Sequence, residues 1–160
     1  MEGNKVQPRA ILVFGAPGSG KTTFSEHFAK KFHAAFFDLG ELERENGLER
    51  QMTLFILEQI ARTNVTLVIE GILDTEMERT EVRNTLRKAG YNPSLVWIQT
   101  DISTIRQRLK LKNRSTSKAK QEYESRIAGM EAPTEVEKPI VLSGKHTFET
   151  QLRHVLTQLA

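Results

Sequence analysis

Residues 15–22 read Gly-Ala-Pro-Gly-Ser-Gly-Lys-Thr, and they stand between the apolar run Ala10-Ile11-Leu12-Val13-Phe14 and a segment carrying Phe24, Phe28 and Phe32. The apolar run reads as a strand buried on both faces, as a parallel sheet requires. The i, i+4, i+8 phenylalanines line one helical face and predict a helix from about Gly20 to Phe32 with that stripe in the core. The eight residues between fit G-x-x-x-x-G-K-[ST], the phosphate-binding P-loop, in the strand–loop–helix setting that motif needs. Glycines let the backbone curl so that successive N–H groups face phosphate oxygens, and the helix N-terminus adds positive potential. On this chemistry Gly15, Ala16, Pro17, Gly18, Ser19, Gly20, Lys21, Thr22 and Thr23 hold a nucleoside triphosphate. Lys21 bridges the β- and γ-phosphates, and the Thr22 hydroxyl ligates Mg2+.

The rest of the chain repeats the strand-then-helix pattern. Ala34 to Phe37 is a second apolar run ending at Asp38, and residues 48–62 place Leu48, Met52, Phe55, Ile56 and Ile60 on one helical face. Val65 to Ile69 is rich in strand formers and precedes a polar helix from about Thr75 to Lys88, which stops near Ala89-Gly90 with Pro93 beyond. Ser94 to Ile98 is a fourth strand. Residues 101–112 and 117–130 read as two helices around a polar break, with Ser117 as N-cap of the second, so 101–130 forms a helical hairpin or lid. Pro139 to Leu142 is a fifth strand, and Phe148, Leu152, Val155, Leu156 and Leu159 mark a closing amphipathic helix. Such alternation predicts a parallel α/β sheet covered on both faces with right-handed crossovers. The length of 160 residues suits one domain over 1–160, with 1–8 as a flexible leader.

Composition removes whole classes of function. The chain has no cysteine, which excludes disulfides, thiolate metal sites and cysteine nucleophiles and makes a reducing cytoplasm the expected home. No stretch approaches the roughly 20 apolar residues of a membrane-spanning helix. The four histidines show no i+4 metal-ligand pairing, which points to surface or cap roles. The net charge of +3 is unevenly spread: residues 106–126 carry +6, leaving −3 on the remainder. Most of those cations read as a solvated helix face, and the polyanion they best answer is a triphosphate.

A P-loop leaves ATPase, GTPase, kinase and passive nucleotide binder open. The guanine-reading Asn-Lys-x-Asp segment is missing, which argues against a GTPase. The strand Val68-Ile69 ends in Glu70-Gly71 rather than in the Asp of the common second NTPase motif. Glu70 can hold a magnesium-bound water or a substrate hydroxyl at a strand's C-terminal end, or it can merely cap a turn.

In the order of these features the chain resembles the small P-loop kinases of nucleoside-kinase type. The resemblance is strongest to the polynucleotide kinase-like and zeta-toxin-like branch, often grouped with AAA-family ATPases. It rests on GAPGSGKT, Asp38 after the second strand, VTLVIEG at 65–71, VWIQTD at 96–101 with an arginine-bearing lid helix, and Glu131-Ala132-Pro133. It implies a three-layer fold with a five-stranded parallel sheet in the order 2-3-1-4-5 and a helical lid. It further implies that Asp38 is the general base toward an acceptor hydroxyl, with Glu41 as rival and an N-cap role for Asp38 as the structural alternative. Arg108 and Arg114 match the lid arginines that clamp the phosphoryl and cover the adenine, though the spacing departs from the group's R-L-x-x-R. Arg79 matches an acceptor-side arginine. The expected activity is ATP- and Mg2+-dependent transfer of the γ-phosphoryl to a nucleoside, nucleotide, polynucleotide 5′-hydroxyl or small metabolite, by a monomer or homodimer. Nucleic acid would enter only as acceptor, because the few aromatics fall on expected core faces. The alternatives are a non-catalytic ATP-binding regulator and a stand-alone ATPase.

Overall fold

A computed structural model describes residues 6–111 and 117–160. In chain order the elements are β1 (Arg9–Phe14), α1 (Lys21–Phe32), β2 (Ala35–Asp38), α2 (Leu39–Asn46), α3 (Arg50–Ala61), β3 (Leu67–Glu70), α4 (Glu76–Lys88) and β4 (Asn92–Gln99). They continue with α5 (Ile102–Leu111), α6 (Ser117–Ala128), a 3-10 turn at Glu135–Glu137, β5 (Ile140–Ser143) and α7 (Phe148–Leu159). All pairings are parallel and the strand order is β2-β3-β1-β4-β5, as expected.

The central strand explains the layering. Alternate residues of a strand face opposite sides. Ala10, Leu12 and Phe14 therefore join Leu57 and Ala61 of α3 and Val82 and Leu86 of α4 on one face. Ile11 and Val13 join Phe24 and Phe28 of α1 and Leu152 and Val155 of α7 on the other. The expected phenylalanine stripe is present, except that Phe32 emerges at the helix end, 39% exposed. Of the expected leader, residues 1–5 lie outside the described residues, while the Pro8 carbonyl accepts a hydrogen bond from Asn92 N at 3.0 Å.

The expected apolar face of α3 requires correction. The buried positions are Thr53, Leu57 and Ala61, whereas Met52 and Phe55 are 52% and 54% exposed. The face so turned inward buries Leu57 and Ala61 completely, and Arg50 on the first turn joins Glu43 of α2 at 2.7 Å and Glu78 of α4 at 2.8 Å. Small side chains at Thr53 and Ala61 then meet the neighbouring layer. The short α2 extends the cap reading of Asp38 into a full helix, closed by Gly47 at φ +64°.

One close approach sets the geometry of the site. Gly71 has φ +81°, and a Cβ there would overlap the backbone of Gly40. Two glycines thus bring the β3–α4 loop against the start of α2, which holds the neighbouring residues Asp38 and Glu70 in register on adjacent strands.

Candidate active site

The sequence 15–22 folds as the motif predicts. Gly18 and Gly20 take φ of +82° and +96°, and Gly20 is the residue that hands the loop to α1. Ser19 N donates to Ala16 O at 3.0 Å, closing the turn. The loop is braced from the sheet, where Thr100 Oγ1 donates to Ser19 O at 3.0 Å. Gly144 packs so closely beside Thr100 and Ser19 O that a Cβ would collide with both. The Ser19 hydroxyl is fully buried with no hydrogen-bond partner among the described residues.

Lys21 opens α1, and its ammonium pKa is lowered, chiefly by burial and next by the Arg126 guanidinium; Glu70, Asp74 and Asp38 oppose the shift. Lys21 therefore stands within electrostatic reach of one arginine of α6 and three carboxylates.

Glu70 is 1% exposed. Its two oxygens accept from Thr22 Oγ1 at 2.9 Å and Ser25 Oγ at 2.7 Å, the hydroxyls lying three residues apart on the first turn of α1. Burial raises its pKa, and the two hydroxyls and then Lys21 pull it back. Thr22 and Glu70 offer hard oxygens beside the phosphate cradle, the donor chemistry Mg2+ prefers. No cluster of three or more His, Asp or Glu able to hold an ion by itself occurs among the described residues. That fits an ion that completes its shell with phosphate and water rather than with a protein cage. Ser25 was not identified from sequence, since only the fold turns it toward β3.

Asp38 takes the N-cap role, the structural alternative weighed for it. Oδ1 accepts from Glu41 N at 3.1 Å as the N-cap of α2, and Oδ2 lies 3.9 Å from Arg44 Nη2, beyond hydrogen-bond reach. Glu41 is exposed and meets Asp38 through its backbone N–H.

The lid base is anchored on the loop. Arg108 donates through Nη1 to Gly18 O at 2.9 Å and through Nη2 to Gly144 O at 2.8 Å. Asp101 caps α5 through Thr104 N at 3.0 Å and pairs with Lys145 Nζ at 2.6 Å. Lys145, then Ser103 and Thr104, hold its carboxyl well below the usual range. Arg114, the other expected lid arginine, lies outside the described residues. Arg126 of α6 takes a place that no spacing argument had given it, 3.4 Å from Asp74 Oδ2, where its charge helps to lower the Lys21 pKa.

Arg79 is not brought to the cleft, which corrects its expected acceptor-side role. It is 0% exposed, and its guanidinium is paired with Glu137 at 2.8 Å, bonded to the carbonyls of Leu73 and Glu131 at 2.9 Å each, and stacked 5.0 Å from the Phe14 ring centroid. Its donors serve to tie α4 to the segment that follows the lid. Beside the P-loop at Ala16, a cavity of about 670 Å³ opens between α6 and the ends of β4 and β5, with Trp97, Ile127, Met130 and Val141 among its apolar walls.

A parallel 2-3-1-4-5 sheet with a phosphate loop after its central strand, bridged to an acid on β3, defines a small P-loop protein of kinase-like build. The chain belongs to the AAA domain family, whose profile matches residues 11–136. No curated protein sequence matches it significantly. Among solved structures it is similar to a gluconokinase from Sinorhizobium meliloti at TM-score 0.73 and 16% identity, over 97% of this chain and 93% of that one. It is similar to a sugar kinase from Janibacter at TM-score 0.71 and 20% identity, over 95% and 94%. It is also similar to the APS kinase of Mycobacterium tuberculosis, solved with AMPPNP and APS, at TM-score 0.71 and 15% identity, over 96% and 98%. These likenesses establish the fold as that of small P-loop kinases. No helix among the described residues is long and apolar enough to cross a membrane.

Proposed function

We propose that the protein is an ATP- and Mg2+-dependent phosphotransferase that moves the γ-phosphoryl group to a hydroxyl acceptor. The observation that carries this reading is the joining of Thr22, Ser25 and Glu70 behind Lys21, with Asp38 on the adjacent strand end. The loop N–H groups and Lys21 bind and orient the triphosphate, whose developing charge they neutralise. Thr22 and Glu70 are the residues that would hold Mg2+, which supplies charge neutralisation between phosphates. Asp38 accepts the acceptor's hydroxyl proton at Oδ2 while Oδ1 keeps α2 capped. The new bond joins the acceptor oxygen to phosphorus, and the bond to the ADP oxygen breaks. Arg108 of α5 and Arg126 of α6 supply lid cations, and lid closure excludes the water that would otherwise compete as acceptor.

Asp38→Asn tests the reading cleanly because asparagine caps a helix as well as aspartate does. ATP affinity should stay within about twofold, while phosphoryl transfer falls by roughly 10²–10⁴, the usual worth of a general base. Normal turnover in this variant rejects Asp38 as base. ATP binding by the wild type with no acceptor-stimulated ADP release favours a nucleotide-binding regulator instead, and acceptor-independent release favours an ATPase.

A further inference from the structure

Asp74 lies four residues beyond β3, and its side chain meets Arg126 Nε at 3.4 Å with both side chains a little under one-third exposed. That separation exceeds the ~2.8 Å of a strong charge-assisted hydrogen bond, so the pair is loosely held. The helix that carries Arg126 borders the P-loop: Ile127, the next residue of α6, and Ala16 of the loop line the same cavity. The main chain of Asp74, by contrast, is tightly fixed. Its carbonyl accepts from Glu131 N at 2.8 Å and Arg79 Nη1 at 3.3 Å, and its N–H donates to Glu78 Oε2 at 2.9 Å. The chain just beyond Arg126 is anchored by the same Glu131 bond. The two side chains can therefore change partners while the backbone at both ends stays in place.

Resting on the proposed triphosphate site, we propose that Asp74 is a built-in stand-in for phosphate: it holds Arg126 until a triphosphate binds and then yields it. The exchange is driven by charge. A single carboxylate at 3.4 Å competes with a polyanion whose oxygens can take the guanidinium in a bidentate manner. The consequence is that Asp74 lowers nucleotide affinity, in part by occupying Arg126 and in part by through-space repulsion. Only the first part needs Arg126.

The test is calorimetric titration of the full chain with a non-hydrolysable ATP analogue and Mg2+, using wild type, Asp74→Asn, Arg126→Gln and the double variant. An exposed ion pair is worth about 0.2–1 kcal/mol, so Asp74→Asn should bind about 1.4- to 5-fold more tightly. Arg126→Gln should bind more weakly, and the gain from Asp74→Asn should be smaller in the Arg126→Gln background than in the wild type, because only the repulsive part remains there. Equal or weaker binding by Asp74→Asn, or the same gain in both backgrounds, overturns the proposal. In the wild type the exchange is also read from the Arg126 Nε–H nuclear magnetic resonance, assigned with Arg126→Gln and followed as inorganic triphosphate is added; a signal that does not move overturns it. A wild type that binds no analogue overturns this proposal and the phosphate-loop reading together. Wild-type binding without tighter binding by Asp74→Asn overturns this proposal alone.

Discussion

Glu70 is a nearly inaccessible carboxylate served by two hydroxyls, and the balance between its burial and those bonds leaves its pKa raised. The folded state then holds a proton on Glu70 more readily than the unfolded chain does. Between the ordinary value of 4.5 and the raised one, the native state binds more protons, so stability falls as pH rises through that window. Glu70→Gln should accordingly raise the thermal midpoint of the nucleotide-free protein at neutral pH, with the gain fading as the medium is acidified below the ordinary glutamate range. A midpoint that does not rise at neutral pH, or a gain that persists in acid, contradicts the burial argument. The same substitution should weaken Mg2+-nucleotide binding, the usual trade of stability for a functional charge. At this scale the P-loop residues were legible because their chemistry is local: eight consecutive residues make the turn, the donors and the lysine. Asp38 and Glu70 were legible as strand-end carboxylates. Ser25, Asp74 and Arg126 were not, because each gains its meaning from a residue about 45 to 105 positions away.

The helices divide between those that the sequence pattern describes and those whose buried face it does not. For α4, the Thr75–Glu78 capping box and the stop at Ala89-Gly90 are written in the sequence, and the element forms where expected. For α3, the face read from the sequence ran through Met52, Phe55, Ile56 and Ile60, whereas the buried positions are Thr53, Leu57 and Ala61, with Arg50 joined to Glu43 and Glu78 at the first turn. That placement makes a sharp contrast. Leu57→Ala should cost about 2–5 kcal/mol, as expected for a buried leucine, whereas Phe55→Ala should cost well under half as much despite removing the larger side chain. Urea unfolding of both variants decides the matter; a Phe55 penalty equal to or above that of Leu57 would restore the face first read from the sequence. Arg79 belongs to the same lesson. As one arginine on a polar helix it resembled a substrate contact, yet its place over Phe14 and against Glu137 makes it a fastener between α4 and the segment after the lid.

Across the whole molecule, the parallel sheet covered on both faces follows from strand–helix alternation and the right-handed crossover, whereas the strand order β2-β3-β1-β4-β5 was readable only through the resemblance to small P-loop kinases. Along the sequence the net +3 resolves into +6 over residues 106–126 and −3 on the remainder, whose carboxylates Asp38, Glu70 and Asp74 all act on Lys21. Under the proposed function the lid cations and Lys21 answer the triphosphate, and Asp38 is the carboxylate assigned to the acceptor hydroxyl. The account is tested most directly by incubating the protein and Mg2+ with γ-labelled ATP and a panel of nucleosides, short oligonucleotides and sugars, with Lys21→Ala as control. It predicts label on an organic hydroxyl in the presence of one acceptor class, lost in Lys21→Ala. Label released only as inorganic phosphate, or retained on ATP with every acceptor, contradicts it.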